Sequence, residues 1–154
     1  MIEKLKLPSI STPMLNDLPS PPAGKNGWPW TEETLGVSVA SSPSISIVMP
    51  NFNGAEFIEE SIRSILLQGY SSLELIVVDG GSNDESLEII NKYLPWIDHL
   101  ISEPDDGQAD AILKGLDLCT GEVFNWINSD DVLCSGSLQV VGDNWGRNNS
   151  VVGN

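Results

Sequence analysis

The stretch from Ser44 to Tyr70 reads SISIVMPNFNGAEFIEESIRSILLQGY, and its two halves carry different periods. Ile45 to Met49 is a short run rich in β-branched residues, which Pro50 is expected to halt. From Glu56 to Gln68 the apolar residues Ile58, Ile62, Ile65 and Leu66 fall on one helical face. A strand, a polar turn and an amphipathic helix make one unit, and the chain then repeats it. Leu73 to Val78 reads as a second buried strand. Ser82 and Glu85 have the spacing of a capping box, which predicts a helix carrying Leu87, Ile90 and Leu94 inward until Pro95. His99 to Ser102 is a weak third strand. Gln108 to Leu118 is a helix with Ala111, Ile112, Gly115 and Leu116 on its inner side and Gly121 as its terminator. Val123 to Ile127 is the fourth strand. Such a βαβαβαβ order with nearly continuous apolar strands predicts an α/β fold, a mostly parallel sheet with helices on both faces and right-handed crossovers.

Outside this region the pattern changes. Residues 1–43 are dense in Pro, Ser and Gly, which forbids long regular elements and reads as an extended or disordered arm. Gly27, Trp28, Pro29 and Trp30 stand apart within it, because two tryptophans are costly to leave in water, and this patch is expected to dock on the body or on a partner. Residues 44–154 form the expected folded domain. A chain of 154 residues fits a single domain. Neither a secretory leader nor an apolar stretch of spanning length is visible, so the chain reads as cytoplasmic, with association at the inner face of a membrane left open. Cys119 and Cys134 lack the spacing of a metal or redox pair and read as reduced thiols.

Charge narrows the partners. The formal balance is −15, and from Ser44 onward 18 acidic residues face only Arg63, Lys92, Lys114 and Arg147. Nucleic-acid binding rests on Lys and Arg neutralising phosphates, so no nucleic acid is expected. A small phosphorylated ligand would need a cation to offset the repulsion.

Three polar loops follow predicted strands: Pro50 to Gly54, Asp79 to Asp84 and Asn128 to Asp131. Parallel strands bring all three to one edge, where open α/β sheets hold ligands. Asp79 could accept hydrogen bonds from a base or ribose, or merely satisfy its own turn; Asp84 reads as a helix cap. Gly80 and Gly81 let a ligand approach the backbone closely. Asp130 and Asp131 place two carboxylates where an apolar strand gives out, which suits Mg²⁺ or Mn²⁺ held by one or two carboxylates plus substrate phosphates. Neither GxGxxG, GxxxxGK[ST] nor HExxH is present. His99, the only histidine, reads as structural.

The segments SISIVMPNFNGAEFIEESIRSILLQGY, LELIVVDGGSNDESLEII, SEPDDGQADAILKG and TGEVFNWINSDD, in that order, resemble the nucleotide-binding half of glycosyltransferase family 2, inverting enzymes of the GT-A fold. GWPWTEET resembles the leader of a bacterial subgroup. The resemblance runs from about Gly27 to about Trp145. It implies a nucleotide-sugar donor, a UDP-sugar by family frequency, a glycan or other hydroxyl acceptor, a divalent metal, and a place in polysaccharide biosynthesis. It further implies that Pro50, Asn51, Phe52 and Asn53 line a base pocket and that Asp79 touches base or ribose. Asp131 becomes the favoured metal ligand, Asp130 lies on ribose or metal, and Gln108 and Asp110 face the same cleft. Homo-oligomerisation stays open.

Two departures stand out. Many members carry VDDGS where this chain has Val78, Asp79, Gly80, Gly81 and Ser82, and Leu113 stands where asparagine is common. The sequence also stops at Val151, Val152, Gly153 and Asn154, in what reads as the start of another strand. A truncated chain is therefore expected, with the general base that deprotonates the acceptor lying beyond Asn154. A sugar nucleotidyltransferase would need basic residues in the first loop, and PNFNGAEF has none. A non-catalytic binding or interaction module is the remaining alternative.

Overall fold

The computed structural model describes residues 5–6, 12–36 and 42–145. The rest of the Met1 to Pro8 segment and the Val151 to Asn154 terminus, read above as a strand start, lie outside the described residues. The elements run β1 (Leu5–Lys6), β2 (Ile45–Asn51), α1 (Ile58–Leu66), β3 (Leu73–Asp79), α2 (Ser86–Tyr93), β4 (His99–Ser102), α3 (Gln108–Leu116), β5 (Val123–Trp126) and α4 (Ser137–Asn144). The sheet order is β1-β4-β3-β2-β5. β2, β3, β4 and β5 are parallel, and β1 adds an antiparallel edge beside β4.

Two apolar layers sandwich the sheet. Ile45, Ile47, Met49, Leu75 and Val77 pack with Ile58, Ile62, Ile65 and Ile90 of α1 and α2. Val48, Ile76 and Val78 point the other way, onto Ala111 of α3. Alternation along β2 and β3 thus serves two covered faces, as a parallel sheet requires, whereas the edge strand β5, expected from its apolar run to be covered too, leaves Phe124 and Trp126 exposed. α3 lies especially close to β2, since a Cβ at Gly115 would stand 2.4 Å from Val48 Cγ1.

Three further local expectations need correction, and one helix is added. Pro50 does not halt β2, for it pairs opposite Val78 inside the strand. Val48 O accepts from Ile127 N on the β5 side at 3.0 Å. Two residues later Pro50 points the same way, past the last paired β5 residue, so its missing N–H breaks no ladder bond. The Ser82 and Glu85 capping box does not form, and α2 starts at Ser86 with no side-chain cap from Glu85. The Ser82 hydroxyl is instead engaged by Asp79, Asn51 and the Asn53 N–H. Leu116 is 41% exposed rather than inward, because Gly115 takes the contact position and its neighbour turns off that face. α4 was not anticipated; its buried positions are only Leu138 and Gly142.

Part of the arm packs down. Leu15, Leu18 and Trp28 join the α1/α2 core, and Trp30 is almost fully buried. Arg63, on the buried side of α1, donates to the carbonyls of Pro19, Pro29 and Trp30. No helix among the described residues is long and apolar enough to cross a membrane.

Candidate active site

From β2 the chain moves outward to β3 and β4, then returns to place β5 on the other side of β2. That reversal opens a crevice at the carboxyl ends of β2 and β5, the position at which open α/β sheets bind ligands. A cavity of about 610 Å³ occupies it, lined by Pro50 to Gly54, Phe57, Gly80, Asp105, Gly107, Gln108, Ala111 and Asn128 to Asp130. Its size is ordinary for a small-molecule site.

The first two loops are knitted together at the back of the crevice. Asp79 is fully buried, and its carboxylate accepts from Asn51 Nδ2 at 2.8 Å, Gly81 N at 3.2 Å, Ser82 N at 3.1 Å and Ser102 Oγ at 3.1 Å, as well as from Ser82 Oγ. It does not line the cavity. Its lone pairs are taken up in fixing the strand ends, the turn-satisfying role weighed for it from sequence. Asn53 adopts φ 51°, and its Oδ1 accepts from Asn83 N at 2.9 Å. Asp84 accepts from Ala55 N and from Ser86 N, both at 2.9 Å. Burial acts to raise its pKa, but hydrogen bonds from Ser86 and Ala55 outweigh it and hold the carboxyl low. Asn51 Oδ1 is buried without a partner. It borders bare Gly54, where a Cβ would sit 2.3 Å from it and 2.8 Å from Ser129 Oγ.

The third loop is carried by α1. Ser61 Oγ donates to Ser129 O at 2.8 Å, Ser64 Oγ accepts from Leu133 N at 3.1 Å, and Gln68 Nε2 donates to Cys134 O at 3.0 Å. Gln68 Oε1 accepts from Leu138 N at 3.3 Å. This polar row, Ser61 and Ser64 within the apolar face of α1 and Gln68 just past its end, escaped the sequence reading, although its i, i+3, i+7 spacing is visible there. Asp131 N closes the turn onto Asn128 O at 3.0 Å. Neither the Asp130 nor the Asp131 side chain meets a hydrogen-bond or salt-bridge partner among the described residues, and both are exposed. Asp130 lines the cavity; Asp131 does not.

Gln108, at the start of α3, lines the cavity and hydrogen-bonds Asn128 Oδ1 across it. Asp110 lies outside. The Asp106 N–H, and after it the Lys114 ammonium at 3.2 Å, hold its carboxyl below the usual range. Sequence reasoning missed Phe57 and Asp105. The signal for Asp105 was a fourth polar loop, Glu103 to Gly107, which follows β4 on the same edge.

A divalent cation fits only one kind of site here. Among the described residues no three His, Cys, Asp or Glu side chains cluster to cage a metal. Asp130 and Asp131 offer hard, uncommitted oxygens, which suits an ion completed by substrate phosphates and water.

Known proteins share this fold. The model of glycosyl transferase family 2 matches residues 46–154. An uncharacterized glycosyltransferase of Rickettsia prowazekii is 40% identical over 91 residues, covering 59% of this chain and 28% of its own length. A PGL/p-HBAD biosynthesis glycosyltransferase of Mycobacterium tuberculosis is 38% identical over 96 residues, covering 60% of this chain and 38% of its own. The chain thus spans well under two thirds of these relatives. A mannosyltransferase from Pyrobaculum calidifontis, solved with GDP-Man and Mn²⁺, superposes with TM-score 0.63 at 24% identity over 71% of this chain and 34% of that one. Glucosyl-3-phosphoglycerate synthase of Mycobacterium tuberculosis, solved with UDP, gives TM-score 0.51 at 27% identity over 61% and 36%. The fold is the GT-A fold of glycosyltransferases, and the chain belongs to glycosyl transferase family 2.

Proposed function

We propose that this chain is the donor-binding part of an inverting, metal-dependent glycosyltransferase that moves a sugar from a nucleoside-diphosphate sugar, a UDP-sugar in the first instance, to an acceptor hydroxyl. The observation that carries the reading is the meeting of the strand-end loops around one cavity, with free carboxylates at the end of the β5 loop. Pro50, Asn51, Phe52 and Asn53 would line the base end, where the exposed Phe52 ring offers a stacking face and Asn51 Oδ1 an unused acceptor. Asp79 would act from behind, holding Asn51 in place.

Asp130 and Asp131 would hold Mg²⁺ or Mn²⁺. Once bound, the ion would offset charge on the departing diphosphate. The chain's own residues orient the donor: Gln108 and Asn128 span the crevice, while Ser61, Ser64 and Gln68 fix the loop that carries the carboxylates. Asp110, paired with Lys114, would shape the first turn of α3 rather than touch the ligand. No residue of this chain is assigned the acceptor-side base.

Titration of the purified chain with UDP, with and without Mn²⁺, tests the reading. Wild type should show metal-dependent affinity, and Asp130→Ala and Asp131→Ala should lose the metal-dependent part while keeping the fold. Unchanged Mn²⁺-dependent affinity in both variants would remove the metal role.

A further inference from the structure

The cavity wall beyond β3 and β4 carries a carboxylate that the reading above leaves without a task. Asp105, in the turn between β4 and α3, lines the cavity next to Gly80. A Cβ at position 80 would lie 2.6 Å from Asp105 Oδ2, 2.9 Å from its Cγ and 3.0 Å from Oδ1. The Asp105 carboxylate therefore fills the space a side chain on residue 80 would need. Gly80 is absent from the positive-φ positions, so the glycine is not there for its backbone conformation; it leaves room for the Asp105 carboxylate in this position.

The two oxygens of Asp105 differ. Oδ1 accepts from Gly107 N at 2.9 Å, whereas Oδ2 has no hydrogen-bond partner among the described residues. The ammonium of Lys114, in the same neighbourhood, is shared between Glu103 at 3.1 Å and Asp110 at 3.2 Å. Asp79 is buried and saturated. The free acceptor on this wall is Asp105 Oδ2, in a cavity that the exposed ring of Phe52 also lines.

We propose that Asp105 reads the nucleotide base. Its Oδ2 accepts a ring N–H, so bases with a lactam N–H on that edge, such as uracil N3–H or guanine N1–H, bind in preference to cytosine and adenine. In the latter two the matching ring nitrogen presents a lone pair, which a carboxylate repels. This deepens the donor-site reading and rests on it. A hydrogen bond to a charged acceptor, weighed against an unpaired one, gives a preference of about 10- to 100-fold.

Calorimetric titration of the purified chain with UDP, GDP, CDP and ADP in Mn²⁺, for wild type, Asp105→Asn and Asp105→Ala, tests it. Circular dichroism checks that each variant is folded. In Asp105→Asn the remaining oxygen keeps the Gly107 N–H and the new amide turns a donor toward the ligand. The expected result is a wild-type preference for UDP or GDP over CDP, a shift toward CDP in the Asn variant, and weak, unselective binding in the Ala variant. Equal wild-type affinity for UDP and CDP, or full selectivity retained in folded Asp105→Asn, overturns the role of Asp105 while leaving the donor site standing. Wild type binding none of the four nucleotides overturns the donor site, and this role with it.

Discussion

Arg63→Met should be among the most damaging single changes in the molecule. Arg63 is wholly buried in α1. Its Nε donates to Pro29 O at 3.1 Å, its Nη1 to Pro19 O at 2.8 Å and Tyr93 Oη at 3.2 Å, and its Nη2 to Trp30 O at 3.0 Å. The Trp30 ring lies 5.3 Å from its Cζ. Methionine keeps the stem and the helix propensity but removes every donor. Each orphaned buried acceptor costs about 1–3 kcal/mol. Two effects reduce the simple sum: Pro19 is half-buried and can turn to water, and the variant no longer desolvates a guanidinium. Breaking a buried charged hub costs about 3–5 kcal/mol in comparable settings. At about 2–4 °C per kcal/mol for a chain of this size, Tm should fall by about 6–20 °C. Urea unfolding followed by circular dichroism measures the loss, and tryptophan emission, to which Trp28 and Trp30 contribute two of the five indoles, gives a second readout. Arg63→Lys should recover little, because one ammonium cannot serve four spread acceptors. A loss below about 1 kcal/mol, with emission unchanged, would refute the picture of Arg63 as the clasp between arm and body.

Three further outcomes are expected. Gly115→Val drives methyls into Val48, which a mere Cβ would already meet at 2.4 Å; overpacking outweighs the gain in helix propensity, and stability in urea should drop by about 2 kcal/mol. Burial, ahead of the opposing hydrogen bond from Arg63, pushes the Tyr93 phenol up to about 12. The unfolded chain, with its phenol near about 10, then holds fewer protons, so stability present below about pH 10 is lost as pH rises toward 12, and Tyr93→Phe should flatten that part of the urea-midpoint profile. Trp28→Phe keeps a ring but deletes the N–H that donates to Leu133 O at 2.7 Å; Mn²⁺-dependent UDP affinity should weaken several-fold while metal-free binding stays put, and equal loss in both would count against the link.

Periodicity made most of the fold legible. The inward set Ile58, Ile62, Ile65 and Leu66 is buried as read, and the strands of the parallel sheet stand where their apolar runs lie. What failed were features that depend on a neighbour. Whether Pro50 ends a strand depends on which adjoining strand its nitrogen faces, and the chain does not spell that out. Ser82 has capping spacing, yet a buried carboxylate three residues earlier claims its hydroxyl. At the site, strand-end loops were readable because parallel strands share an edge. Asp105 was passed over because its loop follows the weakest strand, and Arg63 because a lone cation in a helix ordinarily points to water.

The docked arm changes where the functional unit begins. Trp28 reaches Leu133, and Thr34 touches Ser135 at 2.7 Å and accepts from Gly136 N at 3.1 Å. Those partners directly follow Asp130 and Asp131 in the chain, so residues 28–34 buttress the segment that would meet the pyrophosphate. The family's shared motif starts only at residue 46. A chimera that grafts this half onto a foreign acceptor module at that border would strip the buttress away, leave the flank of α1 bare and let the aspartates sag; joining the modules upstream of Leu5 keeps the buttress and the β1 edge together.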